Sequence, residues 1–373
     1  MKKITRITIL ATLLYGGVYA APFMAVGDGA ELFVTGKVGI RADDNITQSA
    51  NEESDLIFDI APGVELTFGK NAQLKGALTL VHEFSNYSDN SNLNTNLFSG
   101  KFTSNYDDGK LKLGFNTSFD EFNQNTSTTA TGGTVTGLTR RDVFSAGSDA
   151  EVEITQITKI GGGITFAHEN YKRAGYTDSD VLTVPVNVYY RWTEKTDLSF
   201  GYRYRDTQLD SAGVDSQDHY FNVGARGNFS AKLSGKFSVG LNNRDLEVGS
   251  DRNELGFDSS LTYELTAKSN LQFGLSKDYG NSPQGQQQKN LSFNASVTTE
   301  LSSEWKANAG VTYRAIDYYT RTDDFFEFQL GATYVISTNA RITGGYKFTN
   351  YSSVLSGSEF KNNVFSIAAN LRY

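Results

Sequence analysis

The chain of 373 residues contains no cysteine and only four prolines. Without cysteine, neither disulfides nor thiolate metal sites can form. The three histidines, His82, His168 and His219, lie far apart, and no HExxH, GxSxG or Walker-type phosphate loop occurs. These absences predict a protein that is not an enzyme and that has no cofactor or metal site.

Positive charge is also in short supply, because 34 Lys and Arg face 42 Asp and Glu, a net charge of −8. Three of the basic residues, Lys2, Lys3 and Arg6, lie in the first twenty positions, so the rest of the chain is still more acidic. A nucleic-acid-binding protein needs a basic surface, and the sequence therefore excludes that class of partner.

The first twenty residues predict a secretory signal peptide, removed after Ala20. A basic start is followed by a short apolar run and then by small residues, which is the pattern of an exported protein. A membrane anchor is the alternative, but the apolar run is too short to span a bilayer. The predicted organisation is a signal peptide at 1–20, a short periplasmic N-terminal tail at 21–30 and one folded unit at 31–373.

Glycine and aromatic residues are abundant, with 36 Gly, 25 Phe and 20 Tyr, a composition that favours strands over helices. Short polar turn clusters recur about every 36 residues, which predicts a repeated hairpin. The clusters are centred near Asn71, Asp108, Thr158, Glu194, Ala231, Ala267, Ser303 and Thr338. One strand before the first cluster, two in each of the seven intervals and three after the last cluster give eighteen strands, with sixteen as the alternative.

Within these segments apolar and polar residues alternate strictly, as in "NELGFDSSLTYEL", residues 253–265. A soluble β-sandwich or propeller would bury the apolar face, whereas a transmembrane barrel turns it toward lipid. The opposite face carries many charges, among them Arg314, Glu327 and Lys347, which a soluble core would not tolerate unpaired. The pattern predicts an all-β, transmembrane, antiparallel up-and-down β-barrel with short periplasmic turns and longer extracellular loops.

The last ten residues, "VFSIAANLRY", alternate up to the final tyrosine. In a closed barrel the last strand must pair with the first, so that no strand edge faces lipid. The outward residues Phe365, Ile367, Leu371 and Tyr373 resemble the C-terminal signal that the barrel-assembly machinery of the outer membrane recognises. Pro62 and Pro185 fall inside predicted strands, where bulges or strand ends are expected because proline lacks the N–H of the ladder.

The inward positions carry charge in sectors, which would set an electric field across a pore. The predicted basic sector of the pore lining comprises Arg191, Arg203, Arg205, Arg226, Lys236 and Arg244. The predicted acidic sector comprises Asp149, Glu151, Glu153, Glu254, Asp258 and Glu264. Pairing between neighbouring strands, which would only stabilise the wall, is the alternative interpretation of these charges.

One interval is longer than the others and contains the nearly uncharged stretch 121–138, on the predicted outer side. Whether this third outer loop folds into the lumen or stays outside is left open by the sequence.

The opening hairpin resembles the putative beta-barrel porin 2 family, outer-membrane proteins associated with exopolysaccharide systems. The residues that carry the resemblance are Asp43, Asp44, Asn45, Ser54, Asp55, Pro62, Gly63, Glu65, Leu66, Tyr87, Leu93 and Asn94. The resemblance implies an outer-membrane conduit that works with a polysaccharide assembly machine, and it carries over no binding residue.

Two functions therefore remain, a channel or accessory protein for exopolysaccharide export and a general diffusion porin for small hydrophilic solutes. Expected partners are outer-membrane lipid, the barrel-assembly machinery and, for export, the polysaccharide and periplasmic export proteins. The predicted location is the bacterial outer membrane. The transported solute, the gating of the pore and the choice between monomer and trimer are not determined by the sequence.

Overall fold

The computed structural model describes residues 22–27, 29–126, 137–210 and 213–373. The predicted signal peptide, residues 1–20, and much of the loop 121–138 lie outside the described residues. The described part forms nineteen β-strands and one 3-10 turn, Ser91–Leu93. The strands are β1 (Met24–Val26), β2 (Ala30–Asp43), β3 (Asp55–Phe68), β4 (Leu74–Tyr87), β5 (Thr95–Asp107), β6 (Leu111–Gln124), β7 (Thr139–Thr155), β8 (Thr158–Tyr171), β9 (Ser179–Thr193), β10 (Thr196–Leu209), β11 (Ser216–Asn228), β12 (Leu233–Leu246), β13 (Arg252–Thr266), β14 (Ser269–Asn281), β15 (Gln287–Glu300), β16 (Trp305–Asp317), β17 (Thr322–Val335), β18 (Ala340–Ser352) and β19 (Phe360–Arg372).

Strands β2 to β19 form one closed antiparallel barrel in which each strand pairs with its neighbours in sequence. The last strand closes the barrel by pairing with the first long one, from Val364 opposite Asp43 to Arg372 opposite Thr35. Tyr373 continues this ladder, since its N–H donates to the Val34 carbonyl at 2.9 Å and its carbonyl accepts from the Val34 N–H at 2.6 Å. The predicted eighteen-stranded barrel is confirmed, and its final residue takes part in closure.

Every one of the eighteen long strands is able to span a bilayer, because they contain 13 to 17 residues and about 10 suffice for a tilted strand. Their outward face is apolar and exposed, with Val38 60 %, Phe200 58 % and Leu241 61 % accessible. In a protein that dissolved in water, apolar side chains of this size would be turned into a core. The exposed apolar band therefore fits a hydrocarbon surrounding.

The two ends of the barrel differ in the length of their connections. The inner end holds the C-terminus and the described residues before β2. Its turns are tight, from two residues at 156–157 to five residues at 69–73. The outer end has the long connections, including 44–54 and 125–138. At the inner turn 108–110, the N–H groups of Leu111 and Lys110 donate to Asp108 and hold its pKa below the ordinary value. Short turns on one side and longer loops on the other are typical of outer-membrane barrels.

The first short strand extends the barrel at its inner end. Met24 to Val26 pair with Leu32 to Ala30 of β2, beyond the point where the pairing of β19 with β2 stops. The ring of Phe23 meets the ring of Tyr373 edge-on, with centroids 6.3 Å apart. The predicted tail therefore contributes a strand to the sheet next to the C-terminus.

The expected bulges at the two prolines are wrong. Pro62 and Pro185 lie inside β3 and β9, and the register is unchanged on both sides of each. Only the ladder toward one neighbour is interrupted, because proline has no N–H to donate and the remaining backbone bonds keep the register. The register shifts lie instead beside inner turns, near Thr155, Thr196 and Thr266.

Aromatic residues mark the inner rim, as expected for an interfacial girdle. Tyr190 and Trp192 are outward and exposed at the inner end of β9, and Trp305 packs on Tyr334 with centroids 4.9 Å apart. Tyr318 does not belong to a girdle, because this side chain packs in an apolar cluster with Ile316, Phe325, Tyr351 and Phe360 at the outer end. These four partners sit on the inward positions of their strands, so Tyr318 is turned away from lipid.

Candidate functional site: the lumen of the barrel

The lumen is lined by the alternate residues of each strand that face inward, which are mostly polar. The half of the lumen toward the inner end is accessible to water. Lys75, Lys101, Lys236, Asp258 and Glu264 sit on inward positions and are exposed. The six residues of the predicted basic sector and the six of the predicted acidic sector lie on strands β7 and β9 to β13. That they line a conducting pore stays a prediction, but the structure shows which of them meet.

At the outer end of β10 to β14, five charged side chains form one network, named here the outer ion-pair cluster: Arg203, Arg205, Asp218, Arg244 and Asp278. Arg244 donates from Nε and Nη2 to the two oxygens of Asp218 at 2.6 and 2.8 Å. Arg205 Nε donates to the same carboxylate at 2.7 Å. Arg244 is 1 % exposed and Asp218 is fully buried. This bidentate pair is therefore removed from water and held by several charge-assisted hydrogen bonds.

The second carboxylate of the outer ion-pair cluster binds Arg205 again and adds a third cation, Arg203. Asp278 accepts from Arg203 Nη2 at 2.8 Å and from Arg205 Nη1 at 3.1 Å. Asn242 Nδ2 donates to it at 2.6 Å. Three arginines share two carboxylates, and Arg205 and Arg244 also donate to backbone oxygens, of Tyr279 and Gly280, each at 3.0 Å. The positive charge of this part of the predicted basic sector is largely compensated.

A second network lies further toward the inner end, around Arg226. Its guanidinium donates to Glu151 at 2.6 Å and to Asp197 at 3.2 Å, and it stacks on the ring of Tyr189 at 3.4 Å. Lys159 approaches the same two carboxylates at 3.9 and 3.7 Å. Two cations thus meet two anions on four different strands.

These contacts also show that the wall bends sharply. Arg226 on β11 and Glu151 on β7 are four strands apart, as are Arg205 on β10 and Asp278 on β14. Four strand spacings cover about 19 Å along a flat sheet, which is more than two side chains can bridge.

Close backbone approach is visible at the inward Gly240, where a Cβ would lie 1.9 Å from the Phe221 carbonyl oxygen. Glycine is required there because any side chain would collide with the neighbouring strand.

The remaining predicted residues are less tightly held. Arg191 lies 3.9 Å from Glu153, and Lys236 lies 3.9 Å from Asp258 with both side chains more than half exposed. Glu254 accepts from Lys277 at 2.8 Å and from Lys289 at 2.9 Å. In the described ranges, Asp149 and Glu264 take part in no ion pair within 4 Å.

Pairing across strands, the alternative weighed from the sequence, therefore accounts for most of the predicted charges. The sequence pattern did not single out Asp197, Asp218 or Tyr189, which contact the predicted arginines. All three occupy inward positions, so an inventory of every inward residue on β9 to β14 would have included them. Which arginine each would meet depends on the bend of the wall, and the sequence does not encode that bend in any local pattern.

The outer loops contact one another over the mouth of the barrel, and these contacts are named here the loop network. Asn125 Nδ2 donates to the Gln48 carbonyl at 2.7 Å, which joins loops 125–138 and 44–54. Thr126 Oγ1 lies 3.3 Å from the Tyr176 hydroxyl, and the N–H of Thr177 donates to the Pro283 carbonyl at 2.8 Å. The described start of the long loop is therefore bonded to its neighbours, while residues 127–136 lie outside the described part.

Metal sites and membrane-spanning helices are absent from the described residues. No grouping of three or more His, Asp or Glu that could hold a metal ion is found there. The same part of the chain has no helix long and apolar enough to cross a bilayer. The histidines are on outward positions, where His168 Nδ1 lies 2.7 Å from Asp180 and His219 Nδ1 lies 2.8 Å from the Tyr202 hydroxyl.

Among solved structures, the chain is similar to three outer-membrane proteins at low identity. These are OpdQ of Pseudomonas aeruginosa (11 % identity, TM-score 0.49, 93 % of this chain and 100 % of that one), OccAB3 of Acinetobacter baumannii (9 %, 0.46, 93 % and 100 %) and the ferric-catecholate import receptor Fiu of Escherichia coli K12 (10 %, 0.46, 95 % and 82 %). Because the identities and TM-scores are this low, the barrel architecture is established by the strand pairing described above and not by these similarities. No curated protein matches the sequence.

A family model matches residues 196–373, which run from β10 to the C-terminus. Its description is "Putative beta-barrel porin 2", the family to which the opening hairpin was seen to be similar. The residues that carried that resemblance, between Asp43 and Asn94, lie outside the matched range, so the family was predicted correctly from a different part of the chain. The barrel, with its apolar exterior and polar lumen, is an outer-membrane, porin-like barrel, and its residues 196–373 match the putative beta-barrel porin 2 family.

Proposed function

We propose that the protein is an outer-membrane channel that serves the export of an exopolysaccharide, as a conduit or as an accessory of the export machine. The observation that carries a channel function is the closed eighteen-stranded barrel with exposed charged residues in its inner lumen. A barrel of this size is wide enough to hold water. The link to exopolysaccharide is supported by the family, and it is a proposal for this chain.

The loop network supports a gated conduit. Loops that start from strands far apart in the barrel are joined by hydrogen bonds over its mouth, as at Thr177 and Pro283. Loop contacts of this kind would have to separate before a polymer could leave. Polysaccharide and periplasmic export proteins are the expected partners, and no catalytic step is assigned to the barrel.

The second candidate is a general diffusion porin for small hydrophilic solutes. It is favoured by the water-accessible inner lumen, whose charged side chains such as Lys236 and Asp258 are more than half exposed. The two candidates differ in what they require of the outer mouth. A diffusion porin must be open at rest, whereas an export conduit is expected to open with its partners.

Single-channel recording of the purified protein separates the two. We expect a small or intermittent conductance that rises when loop 282–286 is shortened, because Pro283 then no longer joins the loop of Thr177. Shortening loop 247–251, whose tip at 248–250 is exposed, is the matched control. A large, steady conductance of the unaltered protein would favour the diffusion porin.

The export role is tested in cells. A strain that lacks the protein should secrete less exopolysaccharide. Expressing in that strain a copy of the protein that folds into the closed barrel should restore secretion. Normal secretion by the deletion strain would refute the export role and leave the channel function intact.

A further inference from the structure

The basic sector predicted from the sequence is largely neutralised, so the question is where the lumen keeps uncompensated charge. Lys75 and Lys101 answer it for positive charge. Both are exposed, and both lie on inward positions of neighbouring strands, β4 and β5. Within the described ranges no carboxylate is within 4 Å of either ammonium group, whereas Lys112, on the next strand, lies 3.3 Å from Asp107.

The surroundings of these two lysines are mostly polar and uncharged. Lys101 is opposite Thr79 on β4 and Ser118 on β6, and Lys75 is opposite Asn105 on β5. Of the acidic groups nearby, Asp107 lies 3.3 Å from Lys112, and Asp120, two pairs further along the β5–β6 ladder, accepts a hydrogen bond from Ser99 Oγ at 2.5 Å. The wall of β4 and β5 therefore presents two cations to the water of the inner lumen.

Among the predicted acidic residues, those without an ion pair within 4 Å in the described part of the chain are Asp149 on β7 and, on the other side of the barrel, Glu264 on β13. Lys75 is the second residue of β4, at its inner end, and Glu264 lies near the inner end of β13. From β4 to β13 there are nine steps around a barrel of eighteen long strands, which is half of the circumference. Lys75 and Glu264 thus face each other across the inner opening, and each is exposed.

We propose that Lys75 and Lys101 determine the charge selectivity of the inner lumen and favour the entry of anions, in particular sugars that carry carboxylates. This inference rests on the proposed channel function and adds the chemical class of what passes. A paired charge acts at a distance only as a weak dipole, whereas an unpaired one attracts counter-ions over about 8 Å at physiological ionic strength. Narrow clefts with low-dielectric walls strengthen such attraction.

The test measures the reversal potential of the channel in a planar bilayer with a potassium chloride gradient. The unaltered protein is expected to be more permeable to chloride than to potassium. The variant K75Q/K101Q should reduce the permeability ratio of chloride to potassium by roughly threefold or more. E264Q should raise that ratio, because it removes the negative charge opposite Lys75.

Two controls separate selectivity from a structural effect. K75R/K101R keeps the charges and should keep the ratio of the unaltered protein. K110Q removes an exposed lysine from the inner turn 108–110, outside the strands, and should change the ratio less than K75Q/K101Q does. An equal change in K110Q and K75Q/K101Q would overturn the proposal, and so would a cation-selective unaltered channel.

A binding measurement keeps this inference distinct from the channel function itself. Titration of the detergent-solubilised protein with an oligomer of glucuronic acid should give binding that K75Q/K101Q weakens at least threefold, while an uncharged glucose oligomer binds both proteins alike. If no current flows in any bilayer, the channel function fails, and this titration alone decides the role of the lysines. Equal binding of the acidic oligomer to both proteins would refute it.

Discussion

The outer and inner parts of the wall formed by β10 to β14 carry similar charged residues, which differ in burial and in how closely they are paired. In the outer ion-pair cluster, Arg244 and Asp218 are buried and joined by two hydrogen bonds shorter than 3 Å. Toward the inner end, Lys236 and Asp258 are exposed and 3.9 Å apart. The outer charges stabilise the shape of the wall, and the inner charges remain available to solutes.

The difference follows from the surroundings of each pair. A buried charge must be compensated by a close partner and further hydrogen bonds, because the protein interior solvates it poorly. An exposed charge keeps its water, and its partner contributes little. Charges in the outer cluster are thus expected to affect stability, whereas those of the inner lumen are expected to affect conduction.

The sharpest test of this comparison is R244M. Removing this guanidinium leaves Asp218 buried with one fewer cation and strips donors from Gly280 and Gln287. We expect the free energy of unfolding, measured in urea with the barrel in detergent, to fall by about 3 kcal/mol. The matched variant K236M, on the same strand, should lose less than about 0.5 kcal/mol. Equal losses in R244M and K236M would remove the distinction between the two regions.

A smaller loss is expected for D278N. Asp278 is part of the outer cluster but 29 % of its side chain is accessible, so water replaces some of the lost interaction with Arg203 and Arg205. The free energy of unfolding should fall by about 1 to 2 kcal/mol, the range for hydrogen bonds to charged groups. A loss as large as that of R244M would mean that the exposure of a side chain in the cluster does not determine how much it contributes to the free energy of unfolding.

D258N is expected to leave the unfolding free energy within about 0.5 kcal/mol of the unaltered protein. Its effect should appear in conduction, as a rise in the permeability ratio of chloride to potassium, since a negative charge leaves the inner lumen. D258E, which keeps the charge, is the control for the ratio. An unfolding loss above 1 kcal/mol, or an unchanged ratio, would contradict the assignment of this residue to the solvated region.

The smallest effect is expected from salt. Raising ionic strength to 1 M shortens the screening length to about 3 Å, which weakens the charges of the inner lumen but hardly reaches the buried Arg244 and Asp218. The ion selectivity of the channel should therefore decrease, while the difference in unfolding free energy between the unaltered protein and R244M persists. Loss of that difference in high salt would show that the outer cluster is accessible to solvent.

The two ends of the chain also differ in the kind of similarity to the family that they show. The resemblance noticed in the sequence lay between Asp43 and Asn94, whereas the family model matches residues 196–373. The matched range contains the outer ion-pair cluster and the closing strand β19. Both halves follow the same alternation, which is why the barrel could be predicted along the whole chain.

The sequence by itself determined the strands, their inward and outward faces and the closure by the final residues, because side chains on a strand alternate with a period of two. Tertiary structure alone decided which charges are paired. Arg226 meets Glu151 and Arg205 meets Asp278 across four strands, owing to a bend of the wall that no local pattern encodes. Lys75 and Lys101 keep their charge available because the carboxylates nearby, Asp107 and Asp120, contact Lys112 and Ser99 instead.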